Sequence, residues 1–413
     1  MSAIRPIHHT FAPLGDRQQR MLALRLSYLP WRYKRGPYVE KLRAALEATF
    51  NGKAFLFASG REALLAFLRN QGWNAGDEVI VQGYTCAVVP NAILRAGLTP
   101  VYADIDARTL NLDPADTERR ITPRTRAVIC QHTFGIPAPT EELRALCTKH
   151  NILLIEDCAH VLPDSDGPKE IGKLGDALLL SFGRDKAISG ITGGAVIIKN
   201  QTMKSLTDEE KRAGDLPLFR IGLLLEYPQI YALARPLYGC GIGKLILWLA
   251  KQLHLLIPIL TPEEKHGTMP SELHHMPDIL AALALDQLNR LKEINDHRCL
   301  LTGFYLEQCA EHGWPVLHGV RSDLPLQKFP MFVPNAEKIR RALKKKNIHL
   351  HDGWSGCVIC PTASEASSCG YADGTDPRAE EAGEQILSLP THPGTRLQDA
   401  EELVRELRVE WPQ

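Results

Sequence analysis

The sequence predicts an α/β protein: a mainly parallel seven-stranded sheet sandwiched by helices, followed by a smaller C-terminal α/β domain. Two observations carry that expectation. Between Ala54 and Asn200 seven short apolar runs alternate with helix-period stretches, the pattern of a parallel sheet covered on both faces. The chain has 413 residues, more than one hydrophobic core comfortably holds, so two domains are expected, at 1–265 and 266–413.

The strands are expected at Ala54–Ala58, Glu78–Gln82, Pro100–Asp104, Ala127–Gln131, Ile152–Ile155, Leu178–Phe182 and Ala195–Ile198. Helical patterns at Arg61–Asn70, Ala87–Ala96 and Thr140–His150 lie between them. Ligands of such sheets bind beyond the carboxyl ends of the strands, so chemistry is sought there. Further on, Pro277–Ala310 reads as one long helix, Ala336–Leu343 and Gln398–Leu407 as surface helices, and Ala363–Ala379 as a loop.

Leu216–Pro262 differs from the rest. It is strongly apolar but interrupted by Pro228, Pro236, Pro258 and five charges. No charge-free run reaches the ~18 residues a membrane-spanning helix needs. Within it Ile242–Ile257 is expected to be a helix buried between domains or subunits. The alternative is peripheral contact with the inner face of a membrane, with Lys244, Lys251 and His254 on the polar side.

Lys plus Arg and Asp plus Glu both number 48, so no net field favours nucleic acid. The basic stretch Trp31-Arg32-Tyr33-Lys34-Arg35 reads as a solvated or subunit-contact face, with anion binding the alternative. Ten cysteines in a chain of this length make no disulfide framework, and Cys130, Cys158 and Cys240 sit in apolar runs. Cys357-Val-Ile-Cys360 lacks a second ligand pair, so no metal is expected. The opening MSAIRPIHHTFAPLGD has no apolar core of a signal peptide, which implies a cytoplasmic, reduced setting.

The chemistry points to three places. Lys186 follows the apolar run LLLSF and precedes a glycine-rich turn. Asp157 ends the run NILLIED at the same sheet edge. Ser59-Gly60 ends AFLFASG and opens a helix, whose N-terminal amides and dipole suit a phosphate. Pyridoxal 5'-phosphate needs one of each: an amine to hold its aldehyde, a carboxylate to keep the pyridine nitrogen protonated, and donors for the phosphate.

In ordered series the chain carries Gly36-Pro37-Tyr38-Val39-Glu40, Ser59-Gly60, Gly76–Val81, Ala103–Pro114, Ile121–Ile129, and His132–Pro137. Ile155–His160, Gly172–Phe182, Thr192–Ala195 and Leu387–Pro393 follow. This set resembles the DegT/DnrJ/EryC1/StrS family of sugar aminotransferases, of the aspartate-aminotransferase fold (fold type I). The resemblance implies that Lys186 is the Schiff-base lysine, that Asp157 pairs with the pyridine nitrogen and that His160 contacts the ring oxygen. It implies that Ser59, Gly60 and Ser181 bind the phosphate. It also implies a homodimer with shared active sites, moving an amino group from glutamate to a keto-sugar, most often nucleotide-linked.

The chain departs from the family pattern at a few positions. Arg61 replaces a small hydroxyl residue and could reach the phosphate or point away. Cys86 stands where a ring-stacking aromatic is expected, with Tyr84 the nearest substitute. Ser271–His275 stands where relatives place an asparagine from the partner subunit. The rival readings are a lipid-linked substrate, a dehydratase on the same scaffold, and a regulator that keeps the fold without catalysis. Lys186 speaks against the dehydratase, which carries His there.

Overall fold

A computed structural model describes residues 7–8, 17–164, 167–168, 170–200 and 203–411. The opening stretch read for a signal peptide lies outside the described residues, apart from Ile7–His8, which pair in parallel with Ile348–His349.

The seven strands are β1 (Lys53–Phe57), β2 (Glu78–Gln82), β3 (Thr99–Ala103), β4 (Thr125–Gln131), β5 (Leu153–Asp157), β6 (Ala177–Ser181) and β7 (Gly194–Ile198). Each lies within two residues of its expected position. They form one sheet in the order β1-β7-β6-β5-β4-β2-β3. Strand β7 is antiparallel to β6 and to β1, and every other pair is parallel. The reason is local: the β6–β7 connection holds no crossover helix, so the chain can only turn back on itself.

Alternation along β1 shows why both faces are covered. Phe55 and Phe57 pack into the cluster that contains helix Gly60–Asn70, while Ala54 and Leu56 point the other way, onto Leu42, Leu46 and Phe50 of helix Tyr38–Phe50.

After the sheet, Lys328–Phe332 and Ile386–Pro390 form an antiparallel pair, covered by helices Leu291–His312, Ala336–Lys345 and Leu397–Glu410. The hydrophobic core runs unbroken from Phe55 to Leu407. A short parallel ladder between Ile359–Cys360 and Thr85–Cys86 ties the C-terminal elements to the loop after β2.

Three expectations are corrected. The helix foreseen over Pro277–Ala310 is two, Asp278–Asn289 and Leu291–His312, because Arg290 leaves helical geometry at φ −112°. The loop foreseen to Ala379 ends earlier, since Asp376-Pro377 begins helix Pro377–Gln385 with proline at its first position. The helix foreseen over Ile242–Ile257 ends at Gln252, and His254 takes a left-handed φ of 54°. In front of it, Leu218–Ala234 is helical despite Pro228. No helix among the described residues is long and apolar enough to cross a membrane. In the basic stretch, Trp31 is exposed, Tyr33 is buried with its hydroxyl donating to the Ser27 carbonyl, and Lys34 pairs with Asp215 at 3.6 Å.

Asp376 is fully buried, with Arg120 at 3.6 Å and no hydrogen bond to either carboxylate oxygen among the described residues. Burial, then the nearby Asp104, push its carboxyl up to about 7. A folded-state value above the unfolded one means that ionised Asp376 costs stability, a cost that grows as pH rises from about 4 to about 7. Asp376→Asn is therefore expected to raise the thermal midpoint at pH 8 and to gain nothing at pH 4. Equal effects at both pH values would refute this account.

Candidate active site

Lys186 sits on the turn between β6 and β7, half-buried, with its amide donating to the Gly183 carbonyl at 3.3 Å. The turn is held from the C-terminal side. Arg298, buried on helix Leu291–His312, donates to the carbonyls of Leu326 and Gln327 at 3.2 Å and to that of Lys186 at 3.4 Å. The Gln327 amide donates to the Asp185 carbonyl. Desolvation lowers the Arg298 guanidinium to about 10.

Lys186 lines two cavities, one of about 450 Å³ and one of about 300 Å³. The larger collects Ser59, Gly60, Arg61, Cys86, Asp157, His160 and Ser181 with the lysine, although these residues are spread over more than 120 positions of sequence. They meet because each follows or ends a strand of one parallel sheet, whose carboxyl ends share an edge.

Alternation along β5 separates two neighbouring carboxylates. Asp157 faces the cavity, its Oδ1 accepting the Ala159 amide at 2.9 Å. Burial raises its carboxyl above the ordinary range, while the Ala159 amide and Lys186 pull the other way. Glu156 points to the opposite face and accepts from the amides of Gly172, Leu174 and Gly175 and faces His132 Nε2 at 3.1 Å. Burial would push Glu156 up too, but His132 and these amides outweigh it and hold the carboxyl below its ordinary value. With Cys158 this group has the spacing of metal ligands, yet the carboxylate is already committed to those donors.

At the other end, Ser59 caps helix Gly60–Asn70, accepting the Glu62 amide and donating to the Glu62 carboxylate at 3.1 Å. Its backbone bridges to Gly193. A Cβ on Gly194 would collide with the Gly60 backbone, and one on Gly60 would crowd Ser181 at 3.1 Å. The glycines thus bring the helix N-terminus against the end of β6.

His160 is buried, and its Nδ1 accepts the Phe134 amide at 3.1 Å, which leaves the proton on Nε2. Burial, Lys186 and Lys328 hold the ring well below the ordinary histidine value, so it is neutral. Its ring stacks on Phe134 at 5.8 Å and meets the edge of Trp354 at 4.8 Å.

Two positions that the sequence left open, Tyr84 and Arg61, are placed by the structure. Tyr84 is fully buried outside the cavity, its hydroxyl donating to the Trp354 carbonyl and its ring against Phe134 and Trp354. It stands just before the short strand Thr85–Cys86, and it is Cys86 that lines the cavity. Burial raises the Cys86 thiol. Arg61 lines the cavity, but its guanidinium is taken by the Glu264 carboxylate and by the Ile259 carbonyl at 2.6 Å.

The structure adds Trp354, Gln131, Thr192 and His274 to the same wall, with Arg298 behind Lys186. Nothing local in the sequence marks Trp354 or Arg298, which arrive from the C-terminal elements. His274 lies in the Ser271–His275 segment that departs from the family pattern. Its amide donates to Glu62 at 2.6 Å, and that carboxylate raises the imidazole. The sulfurs of Cys357 and Cys360 lie 3.5 Å apart.

The DegT/DnrJ/EryC1/StrS aminotransferase family model matches residues 19–214 and 263–408. The chain is 26% identical over 390 residues to the spore coat polysaccharide biosynthesis protein SpsC of Bacillus subtilis, covering 91% of this chain and 90% of that one. It is 33% identical over 168 residues to the GDP-perosamine synthase of Vibrio cholerae, covering 40% of this chain and 46% of the synthase. The chain thus spans less than half the length of several curated relatives it matches. Among solved structures, the sugar aminotransferase Spr1654 of Streptococcus pneumoniae, described as putative and in its PMP form, superposes with a TM-score of 0.71 at 21% identity, covering 97% of this chain and 98% of that one.

Proposed function

The chain belongs to the DegT/DnrJ/EryC1/StrS aminotransferase family, and from that premise we propose that it moves an amino group from glutamate to a nucleotide-linked keto-sugar. The observation that carries the reading is the convergence of Lys186, Asp157 and the Ser59-Gly60 helix start on one cavity.

Pyridoxal 5'-phosphate fits this residue set. A buried carboxylate with one oxygen held by an amide faces a lysine, and glycines clear a cradle at a helix N-terminus. Ser59, Gly60 and Ser181 would hold its phosphate, Asp157 its pyridine nitrogen, and His160 Nε2 would donate to its ring oxygen. Bound there, the cofactor supplies an electron sink for a carbanion.

The chain's own residues supply the rest. Lys186 Nζ is the covalent anchor and, once released by an incoming amine, the base that takes a proton from the substrate carbon and returns it. Asp157 contributes a fixed negative charge in a dry wall. Neutral His160 donates without adding charge. Arg298 and Gln327 act through the backbone, fixing the turn that presents the amine. Exposed Tyr28 and Trp31 are the kind of surface a two-fold partner covers, in keeping with a homodimer. Ten free cysteines accord with a reduced cytoplasmic setting.

A lipid-linked keto-sugar is the second reading, favoured by the apolar wall that Leu224, Ile257 and Ile259 give the cavity. The cofactor-loaded enzyme, given glutamate and no sugar, is expected to release 2-oxoglutarate once per site and then stop. Addition of a nucleotide-linked keto-sugar should restart release and yield the amino-sugar. Loss of water from the sugar, with no 2-oxoglutarate, would overturn transamination.

A further inference from the structure

The family model is interrupted over 215–262, and the apolar stretch fills that interruption. The shared fold therefore does not need this segment. Its helix Ile242–Gln252 turns only Gly243 and Ala250 fully inward. Gly243 is required there, since a Cβ would collide with the Ala234 carbonyl of the preceding helix. At 100° per residue, Ile242, Leu245, Trp248, Leu249 and Leu253 fall on one outward arc. All five are exposed, between 43% and 65%.

Charge tells which surface suits that arc. Residues 227–262 contain Arg235, Lys244, Lys251 and His254 and no Asp or Glu. Lys244 and Lys251, seven positions apart, border the arc along one side. Lys244 is held at that edge, 3.2 Å from the Asn347 side chain and over the Tyr238 ring. An isologous contact between two copies of this face would bring the like charges together. An anionic lipid surface instead pairs them with phosphates while the leucines and Trp248 enter the acyl boundary. Eleven residues are too few to span a bilayer, so the helix lies in its plane.

We propose that the inserted segment docks this protein on an anionic phospholipid surface through the outward face of helix Ile242–Gln252. The inference stands apart from the transamination reading, because it uses no residue of the lysine site. Ile257 and Ile259, just beyond the helix, line the larger cavity, so docking would place the cavity beside the lipid.

The test is co-sedimentation of the full-length, cofactor-loaded protein with vesicles of phosphatidylglycerol and phosphatidylcholine, against phosphatidylcholine alone. Binding is expected only to the anionic vesicles and should weaken as salt rises. Lys244→Gln and Lys251→Gln should each weaken it roughly fivefold. Leu245→Glu with Trp248→Glu should abolish it while far-ultraviolet circular dichroism stays unchanged, since both positions face solvent. Should that pair misfold, the two lysine variants and the salt series still decide the matter. Absence of wild-type binding to anionic vesicles would overturn the proposal. So would binding indifferent to lipid charge, or a well-folded Leu245→Glu, Trp248→Glu protein that loses self-association from a wild type that ignores vesicles.

Discussion

Lys186→Ala should lower amine transfer on the order of 10⁴-fold or more, because it removes both the covalent anchor and the proton carrier. The fold should survive. Lys186 lies on an irregular turn whose backbone is held by Arg298 and Gln327 through carbonyl oxygens, and alanine keeps those contacts. Cofactor should still associate through the Ser59-Gly60 end, but without a covalent link. The complementary measurement is borohydride reduction of the wild type followed by peptide mapping, which should place the cofactor mass on the peptide containing Lys186. Lys328 is the informative control. It is buried, lines the smaller cavity and is held by Asp352 at 3.0 Å. Label on Lys328, or residual transfer within tenfold in Lys186→Ala, would sink the assignment.

Asp157→Asn is expected to cut turnover by about 10² or more while leaving the protein at least as stable as the wild type. The two halves of that prediction come from the same carboxylate. Asparagine keeps the size of the side chain and can still accept the Ala159 amide, but it offers no charge to hold a pyridine nitrogen protonated. Each pKa unit lost there is about 1.4 kcal/mol of differential stabilisation. Stability moves the other way in the cofactor-free protein. Burial raises the Asp157 carboxyl above its unfolded value, so ionising it costs folding free energy as pH rises past the ordinary carboxylate range. Its removal should therefore leave the thermal midpoint at neutral pH unchanged or higher. A variant that keeps activity within a few-fold, or that loses activity only by unfolding, would show Asp157 to be structural.

Much of this was legible in one dimension because burial on two faces leaves a strong trace. A strand inside a mainly parallel sheet covered on both faces is largely apolar, so β2, β4, β5, β6 and β7 stand out as short runs rich in Val, Ile, Leu and Ala. Lys186, Asp157 and Ser59-Gly60 were legible for a related reason: each lies at or within a few residues of the end of such a run, where ligands gather.

Other features left no local trace. Tyr84 and Cys86 lie two positions apart, and sequence offered no way to choose between them as cavity wall. The parallel ladder of Thr85–Cys86 with Ile359–Cys360 sets that choice, turning Cys86 to the cavity and Tyr84 under Trp354. Arg61 was ambiguous until Glu264 and the Ile259 carbonyl, some 200 positions away, proved to hold its fork. The break at Arg290 was hidden because both helices around it bury apolar residues, and their periods run together when read as a line.

The sequence by itself determined the fold class and the strand positions, and it singled out Lys186, Asp157 and Ser59-Gly60, which line one cavity. These follow from burial and from groups adjacent in the chain, which are short-range properties. Only the tertiary structure decided which side chains complete the wall, which residues steady Lys186, and that the helix at Ile242–Gln252 keeps its leucines outward. Those are contacts between segments far apart in sequence, and their geometry depends on how whole elements pack rather than on any local pattern.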